Sequence, residues 1–252
     1  TKFKWCNLSI EVDNLCFKYN NALPRYTLKG ISLYIPQGKI TAIVGASGSG
    51  KTTLLKLLLG YYNLNSGDIR VGLDKINRFN LSWWRSQCGV VMQEGYLFSD
   101  TIANNIAISD ETPDLERIRY AARIANIADD IERLPLGYNT KIGQDGQGIS
   151  QGQRQRILIA RVAYKDPQFI FLDEATNSLD ANNERDILAN LEEFYQDKTV
   201  VVVAHRLSTV KNADNIVVLD RGEIAEQGTH DELTEKRGLY YHLVKNQLEL
   251  GN

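Results

Sequence analysis

Methionine occurs once, cysteine and histidine three times each and proline five times in 252 residues. So little cysteine excludes a disulfide-stapled scaffold. Cys6, Cys16 and Cys88 are an odd set without metal-ligand spacing, and they read as reduced thiols in a cytosol-facing protein. Long apolar runs are also missing. The richest, around Ile40 to Val44, Phe169 to Leu172 and Val200 to Ala204, have the length of strands, far below the roughly 18 residues a bilayer-spanning helix needs. Charge of one sign is missing as well: 29 Lys and Arg stand against 31 Asp and Glu, a net charge of −2. That balance gives no electrostatic reason to expect a nucleic acid or an anionic lipid surface as partner. What is present, 43% hydrophobic and 24% charged residues, suits a globular protein able to bury a full core. The chain opens at Thr1 without an initiator methionine or a signal-peptide pattern, which leads to the expectation of a domain excised from a longer polypeptide.

Short β-branched runs alternate with helical patterns over most of the length, the mark of a mainly parallel sheet covered by helices. The expected class is therefore α/β. Before residue 36 the pattern differs, since Ile10 to Phe17 and Ile31 to Ile35 read as strands with no helix between them. A small antiparallel sheet is expected there. From about Glu94 to Lys165 strand character gives way to helix-forming segments such as Leu115 to Ala128, an apparent helical insertion. Alternation resumes with a strand to Leu172, a helix near Asn182 to Tyr195, strands Thr199 to Ala204 and Asn215 to Leu219, and a terminal helical stretch. In the first of these helices Ile187, Leu188, Leu191, Phe194 and Tyr195 share one face, which should pack on the sheet.

Gly45-Ala-Ser-Gly-Ser-Gly50-Lys51-Thr52 fits the phosphate-loop pattern G-x-x-x-x-G-K-S/T. It is preceded by the strand Lys39 to Val44 and followed by the apolar helix Thr53 to Leu59, with Gly60 as its stop. Glycine lets successive N–H groups curl toward phosphate oxygens, and the positive end of the following helix adds to their field. The expected phosphate-contacting set is Gly45, Ser47, Gly48, Ser49, Gly50, Lys51, Thr52 and Thr53. Lys51 would neutralise the β and γ phosphates of a nucleotide and the Thr52 hydroxyl would ligate Mg2+.

Phe169-Ile-Phe-Leu172-Asp173-Glu174 is an apolar strand ending in two carboxylates, and the carboxyl ends of parallel strands are where ligands bind. Asp173 is expected to hold Mg2+ through water, and Glu174 to take a proton from attacking water. A second apolar strand, Thr199 to Ala204, ends in His205, a candidate to contact the γ-phosphate or to hold Glu174 and the water in place.

Gly148-Ile149-Ser150-Gln151-Gly152-Gln153-Arg154-Gln155-Arg156, at the head of a helical stretch running to about Lys165, resembles the signature motif of the ABC (ATP-binding cassette) ATPases. Tyr19, the phosphate loop, Gln93 after the strand Gly89 to Met92, the acidic pair, Asn177-Ser-Leu-Asp180 and His205 follow that family's order over essentially the whole chain. The resemblance implies a P-loop NTPase fold. In it, residues 1–93 and 166–252 form the nucleotide-binding core with its antiparallel β part, and 94–165 a helical signature subdomain. It implies ATP and Mg2+ as ligands, with Tyr19 stacking on adenine and Gln93 contacting Mg2+ or the water. It further implies that Ser150, Gly152 and Gln153 meet the ATP held by an opposite subunit, and that Asp180 lies on the loop crossing between subunits. The partner would be a second nucleotide-binding domain, in a homodimer or a heterodimer clamped head to tail around two ATP molecules.

Three positions depart from the family pattern Leu-Ser-Gly-Gly-Gln and its surroundings. Ile149 and Gln151 replace the leucine and the first glycine, and Gln144, in Thr140-Lys-Ile-Gly-Gln144-Asp145-Gly146, stands where exporters usually carry glutamate. The stretch from Gln93 to Phe98, Thr101-Ile102 and Asn105-Ile106 resembles exporters of peptides, bacteriocins and lipids. So do Ala204-His-Arg-Leu-Ser-Thr-Val210 and Glu226-Gln-Gly-Thr229. The expectation is an ATPase powering export at the cytoplasmic face of the plasma (inner) membrane, with the transmembrane domain N-terminal on the same parent chain and no nucleic acid. A weakly hydrolysing regulatory module of a heterodimer is the alternative. A cassette of DNA repair or translation usually carries a long coiled-coil insertion or a tandem second cassette, and neither is in this sequence.

Overall fold

The computed structural model describes residues 8–20, 24–108, 110–143, 148–175, 181–204 and 206–250. They fall into two compact units, one built from the chain up to Cys88 and again from Asp197, the other from Gly89–Gln196.

The first unit starts with β1 (Ile10–Phe17) and β2 (Leu28–Ile35), paired antiparallel with Ile10 opposite Ile35 and Val12 opposite Leu33. These four side chains are buried, so the period-two alternation puts one face of the ribbon into the core. Asn14 interrupts the ladder with a left-handed φ of 43°, and its N–H donates to Ser32 Oγ. β3 (Ile40–Val44) then runs into the phosphate loop and α1 (Lys51–Leu58). Leu54, Leu55, Leu57 and Leu58 of α1 are all at most 1% exposed, each contributing roughly 2 kcal/mol of apolar burial. β4 (Ser66–Val71) pairs antiparallel with β1, and β5 (Asp74–Lys75) hairpins onto β4. α2 (Leu81–Ser86) follows, capped by Asn80.

The second unit is entered through β6 (Cys88–Val91). A two-residue strand β7 (Asp100–Thr101) leads into α3 (Ile102–Ile106), α4 (Leu115–Ile124) and α5 (Ala128–Glu132). β8 (Lys141–Ile142) pairs back on β7, antiparallel. The long α6 (Gln151–Lys165) packs on α3 and α4, and the wholly buried β9 (Phe169–Asp173) lies beside β6. α7 (Ala181–Phe194) closes the unit. The helical segment expected from Leu115 to Ala128 is two helices. Asn126 adopts φ 51°, a left-handed value that ends α4 and costs asparagine little, and its carbonyl accepts from Arg156 Nη1 at 2.6 Å. On α7, Ile187, Leu191 and Phe194 are buried, Leu188 and Tyr195 are half-buried, and α4 is one of the neighbours.

The chain returns to the first unit with β10 (Thr199–Val203), α8 (Leu207–Val210), β11 (Asn215–Asp220), β12 (Glu223–Gly228), α9 (His230–Lys236) and α10 (Leu239–Leu250). β3 is sandwiched in parallel between β10 and β11, and β12 adds antiparallel at the edge. Every residue of β10 is buried, as a two-faced parallel strand requires. This α/β architecture, with a parallel-containing sheet and a separate antiparallel one, is that of a P-loop NTPase. Among the described residues no helix is long and apolar enough to cross a membrane.

Candidate functional site

The phosphate loop leaves the carboxyl end of β3, a strand hydrogen-bonded on both sides, so its starting point is rigid. Gly45 has φ 151°, and a Cβ there would lie 2.2 Å from the Leu219 carbonyl oxygen and 2.7 Å from Ser49 Oγ. No side chain fits. The loop is tied to the turn after β11, where the Gly222 N–H donates to the Ser49 carbonyl at 3.1 Å and the Gly222 carbonyl accepts from the Lys29 N–H at 2.8 Å. Lys51 is 5% exposed, its Nζ donating to the carbonyls of Gly45 at 2.9 Å and Ala46 at 3.0 Å. The lysine thus folds back over the loop it follows. Ser49 Oγ is buried without a hydrogen-bond partner among the described residues. The first turn of α1 holds no acidic residue. A loop with no room for a side chain at Gly45, an orphaned hydroxyl and a helix N-terminus without an acid in its first turn fit an anionic polyphosphate.

The opposite end of α1 is closed. Gly60, φ 67°, donates to the Leu57 carbonyl at 2.9 Å and Tyr61 to the Lys56 carbonyl at 3.0 Å, the paired bonds of a Schellman motif. The carbonyls of Leu58, Leu59 and Gly60 accept from Trp84 Nε1 at 3.0 Å, Arg85 Nε at 3.3 Å and Arg85 Nη2 at 2.9 Å. α2 therefore caps α1 with two side chains, one of them cationic at the negative end of the dipole.

Tyr19 follows β1 and reaches α1. Its hydroxyl lies 3.0 Å from Thr53 Oγ1, and its ring meets Phe17 and Tyr62 edge-on at 5.0 and 5.2 Å. Even so, 56% of Tyr19 is exposed. With Arg25, Tyr26, Gly48 and Arg221 it lines a cleft of about 440 Å3, which puts the aromatic face and the crown of the phosphate loop on one opening. Ser47 and Gly48 are exposed there, while Gly50 and Thr53 are buried and Thr52 half-buried.

The second unit carries Gln93, Ser150, Gly152, Gln153, Asp173 and Glu174. Asp173, the last residue of β9, is 1% exposed. Glu174 is half-buried with φ 52°, a left-handed conformation that costs a residue with a Cβ about 1 kcal/mol or more. Its carbonyl accepts from Gln155 Nε2 at 3.2 Å. Gln155 is a site residue that spacing alone did not single out, because the contact joins positions 19 apart on two different elements. Gln93 is exposed in the turn after β6, and Gly95, two residues on, packs against α6 so closely that a Cβ would lie 2.3 Å from Leu158 Cδ1. The loop beyond is fixed from α6 as well. Arg161 donates to the Tyr96 carbonyl at 3.1 Å and the Asn105 carbonyl at 2.8 Å, and Asn105 bonds both the N–H and the carbonyl of Phe98.

The signature segment is a helix cap. Ser150 Oγ accepts from Gln153 N–H at 3.1 Å and Gln153 Oε1 accepts from Ser150 N–H at 3.0 Å, a capping box at the start of the 15-residue α6. Ser150 and Gln151 are exposed and Gly152 is half-buried. Gln151, the departure from the family pattern, sits at the first helical position and leaves the box intact. Asp180, His205 and Gln144 lie outside the described residues.

A family model described as ABC transporter matches residues 28–177. The leukotoxin translocation ATP-binding proteins LktB of Mannheimia haemolytica and of Bibersteinia trehalosi are each 44% identical over 240 residues, covering 95% of this chain and 34% of theirs. The structure of a bacterial Atm1-family ABC exporter with ATP bound superposes with a TM-score of 0.89 at 39% identity, over 94% of this chain and 41% of that one. The chain spans about a third of the length of the curated relatives it matches. With the phosphate loop at the end of β3 and the signature capping α6, the chain belongs to the ABC transporter family, as one of its ATP-hydrolysing nucleotide-binding domains.

Proposed function

We infer that the chain is the motor of an exporter, working as one of a head-to-tail pair of nucleotide-binding domains. One observation carries this reading: one unit has a helix start behind a phosphate loop, and the other has a helix start behind an exposed serine cap. A single bound ATP needs only the first. The second suits the γ-phosphate of ATP held by a neighbouring copy. Tyr19 stacks on the base, Gly45 to Thr53 hold the phosphates, and Lys51 exchanges its loop carbonyls for phosphate oxygens. Thr52, Gln93 and Asp173 would hold Mg2+, which supplies charge neutralisation at the phosphate oxygens. Glu174 takes the proton of the attacking water. His205 and Asp180 keep the roles that the family resemblance gives them, at the γ-phosphate and between subunits.

Binding energy at the second helix start exists only when both copies and ATP are present, so ATP closes the pair and hydrolysis releases it. Residues 94–165, with the loop around Tyr96 to Phe98 braced on α6, are the part that passes this motion to a transmembrane domain N-terminal on the parent chain. The relatives' names, leukotoxin translocation and Atm1-family exporter, support outward transport from the cytoplasmic face of the inner membrane. The intact capping box beside Gln151 supports an active site over a weakly hydrolysing regulatory one. Glu174→Gln should bind ATP, form a stable ATP-dependent pair on a sizing column and lose at least about a hundredfold in turnover. Parental phosphate release by that variant would remove Glu174 from the role of base.

A further inference from the structure

We propose that Gln155 is a positioning residue that fixes the backbone of Glu174 from the signature helix, and so links the engagement of α6 to the readiness of the base on the same chain. The inference rests on the reading of Glu174 as the base.

Three observations meet at this contact. First, Glu174 is the sole glutamate among the described non-glycine residues with positive φ. The others are Asn14 at the irregularity in β1, Asn126, Asp166 and Asp197 at turns or helix ends, and the arginines 221 and 237. Asparagine and aspartate steady such a conformation with a short side chain that bonds the nearby backbone, and a glutamate side chain is too long to do so. Something outside the residue has to hold it. Second, the flanking residues Asp173 and Ala175 are 1% and 5% exposed, so the peptide after Glu174 lies in a buried setting where a carbonyl needs a donor. Third, the donor supplied is the amide of Gln155, itself 5% exposed, at 3.2 Å. A neutral amide is the group that can donate there without burying a charge, and an asparagine would be one methylene short.

The bond fixes the peptide plane that follows Glu174, and with it the direction in which the carboxylate leaves the end of β9. Gln155 is five residues along α6 from Ser150, a rise of about 7.5 Å. It belongs to the same rigid helix as the cap offered to the neighbouring copy. A shift of α6 when its cap takes a γ-phosphate is therefore felt at the Glu174 peptide of the same chain. The chain's base is set by whether its signature is engaged, which ties the two nucleotide sites of a pair to each other.

The test compares Gln155→Leu and Gln155→Met, which keep bulk and remove the donor, with the parent chain and with Glu174→Gln. Thermal unfolding checks folding, and the methionine variant carries the comparison if the branched one unfolds. The expected result is a loss of about ten- to a hundredfold in kcat with half-saturation by ATP within about twofold of the parent, a misplacement effect on the chemical step. The Hill coefficient for ATP should fall toward one, and Gln155→Leu placed on Glu174→Gln should cost nothing further. A kcat within about twofold of the parent, or a loss that appears equally in the double variant, overturns the proposal. An active Glu174→Gln instead overturns the reading of the base, and so the two failures are told apart.

Discussion

At the scale of the residue, the site is made by side chains whose identity alone states their chemistry and by others whose role comes from a contact. Tyr19 is of the first kind, an aromatic more than half exposed at the mouth of the cleft beside Gly48. Tyr19→Ala should weaken ATP binding by about tenfold, Tyr19→Trp should restore it, and Tyr19→Phe should stay close to the parent although it loses the bond to Thr53. Titration with a fluorescent ATP analogue reads all three. A weak Tyr19→Phe with a weak Tyr19→Trp would mean that the hydroxyl, through Thr53, matters more than the ring. Lys51, Thr52, Asp173 and Glu174 were legible in the sequence because the spacing that makes a phosphate loop or an acidic strand end is local. Gln155 was not, since a glutamine inside a helix announces nothing until the fold sets it 3.2 Å from the Glu174 carbonyl. The left-handed turn at Glu174 was equally hidden, because no glycine or asparagine marks it.

At the scale of the element, α1 shows how the sequence divides its labour. Its N-terminus has neither a side-chain cap nor an acid in its first turn, while its C-terminus is closed by Gly60, Trp84 and Arg85. Gly60 was readable as a stop. The short α2 was not, because its six residues bury only Trp84 and show no repeating apolar face. Trp84 is 1% exposed, and Trp84→Ala should cost about 3–5 kcal/mol of stability, against roughly 1 kcal/mol for Trp84→Phe, which keeps most of the bulk and loses the bond to Leu58. Urea unfolding checks the difference. The strand β4 also escaped the pattern, its Ser66-Gly67-Asp68 start being polar, and the chain pairs it to β1 only through Ile69 and Val71 on the buried face. Elsewhere a helix start is capped from a distance. Glu226 of β12 accepts from the N–H groups of Leu239 and Tyr240 at 2.7 and 3.0 Å, and the Tyr240 hydroxyl lies 2.8 Å from His230 Nδ1. Burial raises the Tyr240 phenol from 10.0 to about 12. The folded state thus holds its proton more tightly than the unfolded one. The stabilisation is whole below pH 10.0 and is lost as pH rises toward about 12. Tyr240→Phe should show a shallower alkaline fall in melting temperature across that window, and a fall as steep as the parent's would place the titrating group elsewhere.

At the scale of the whole molecule, the fold class was legible because a parallel core announces itself in all-buried runs such as Thr199–Val203. The expected division at residues 93 and 166 followed helical composition, whereas the two compact units part at Cys88 and Asp197, since β6 and β9 go with the helices. That grouping places the signature serine and the acidic pair on one unit and the phosphate loop on the other. The central claim, that ATP is shared between the loop of one copy and the α6 cap of the next, is tested most directly by mixing two inactive variants. Lys51→Ala damages only the loop it belongs to and Ser150→Arg only the cap. A mixed pair then contains one doubly damaged site and one intact site. The account predicts no ATP-dependent pairing on a sizing column by either variant alone and recovery of an ATP-dependent pair on equimolar mixing, held by the one intact site. A mixture that pairs no better than its components, or a fully active Ser150→Arg, would contradict it.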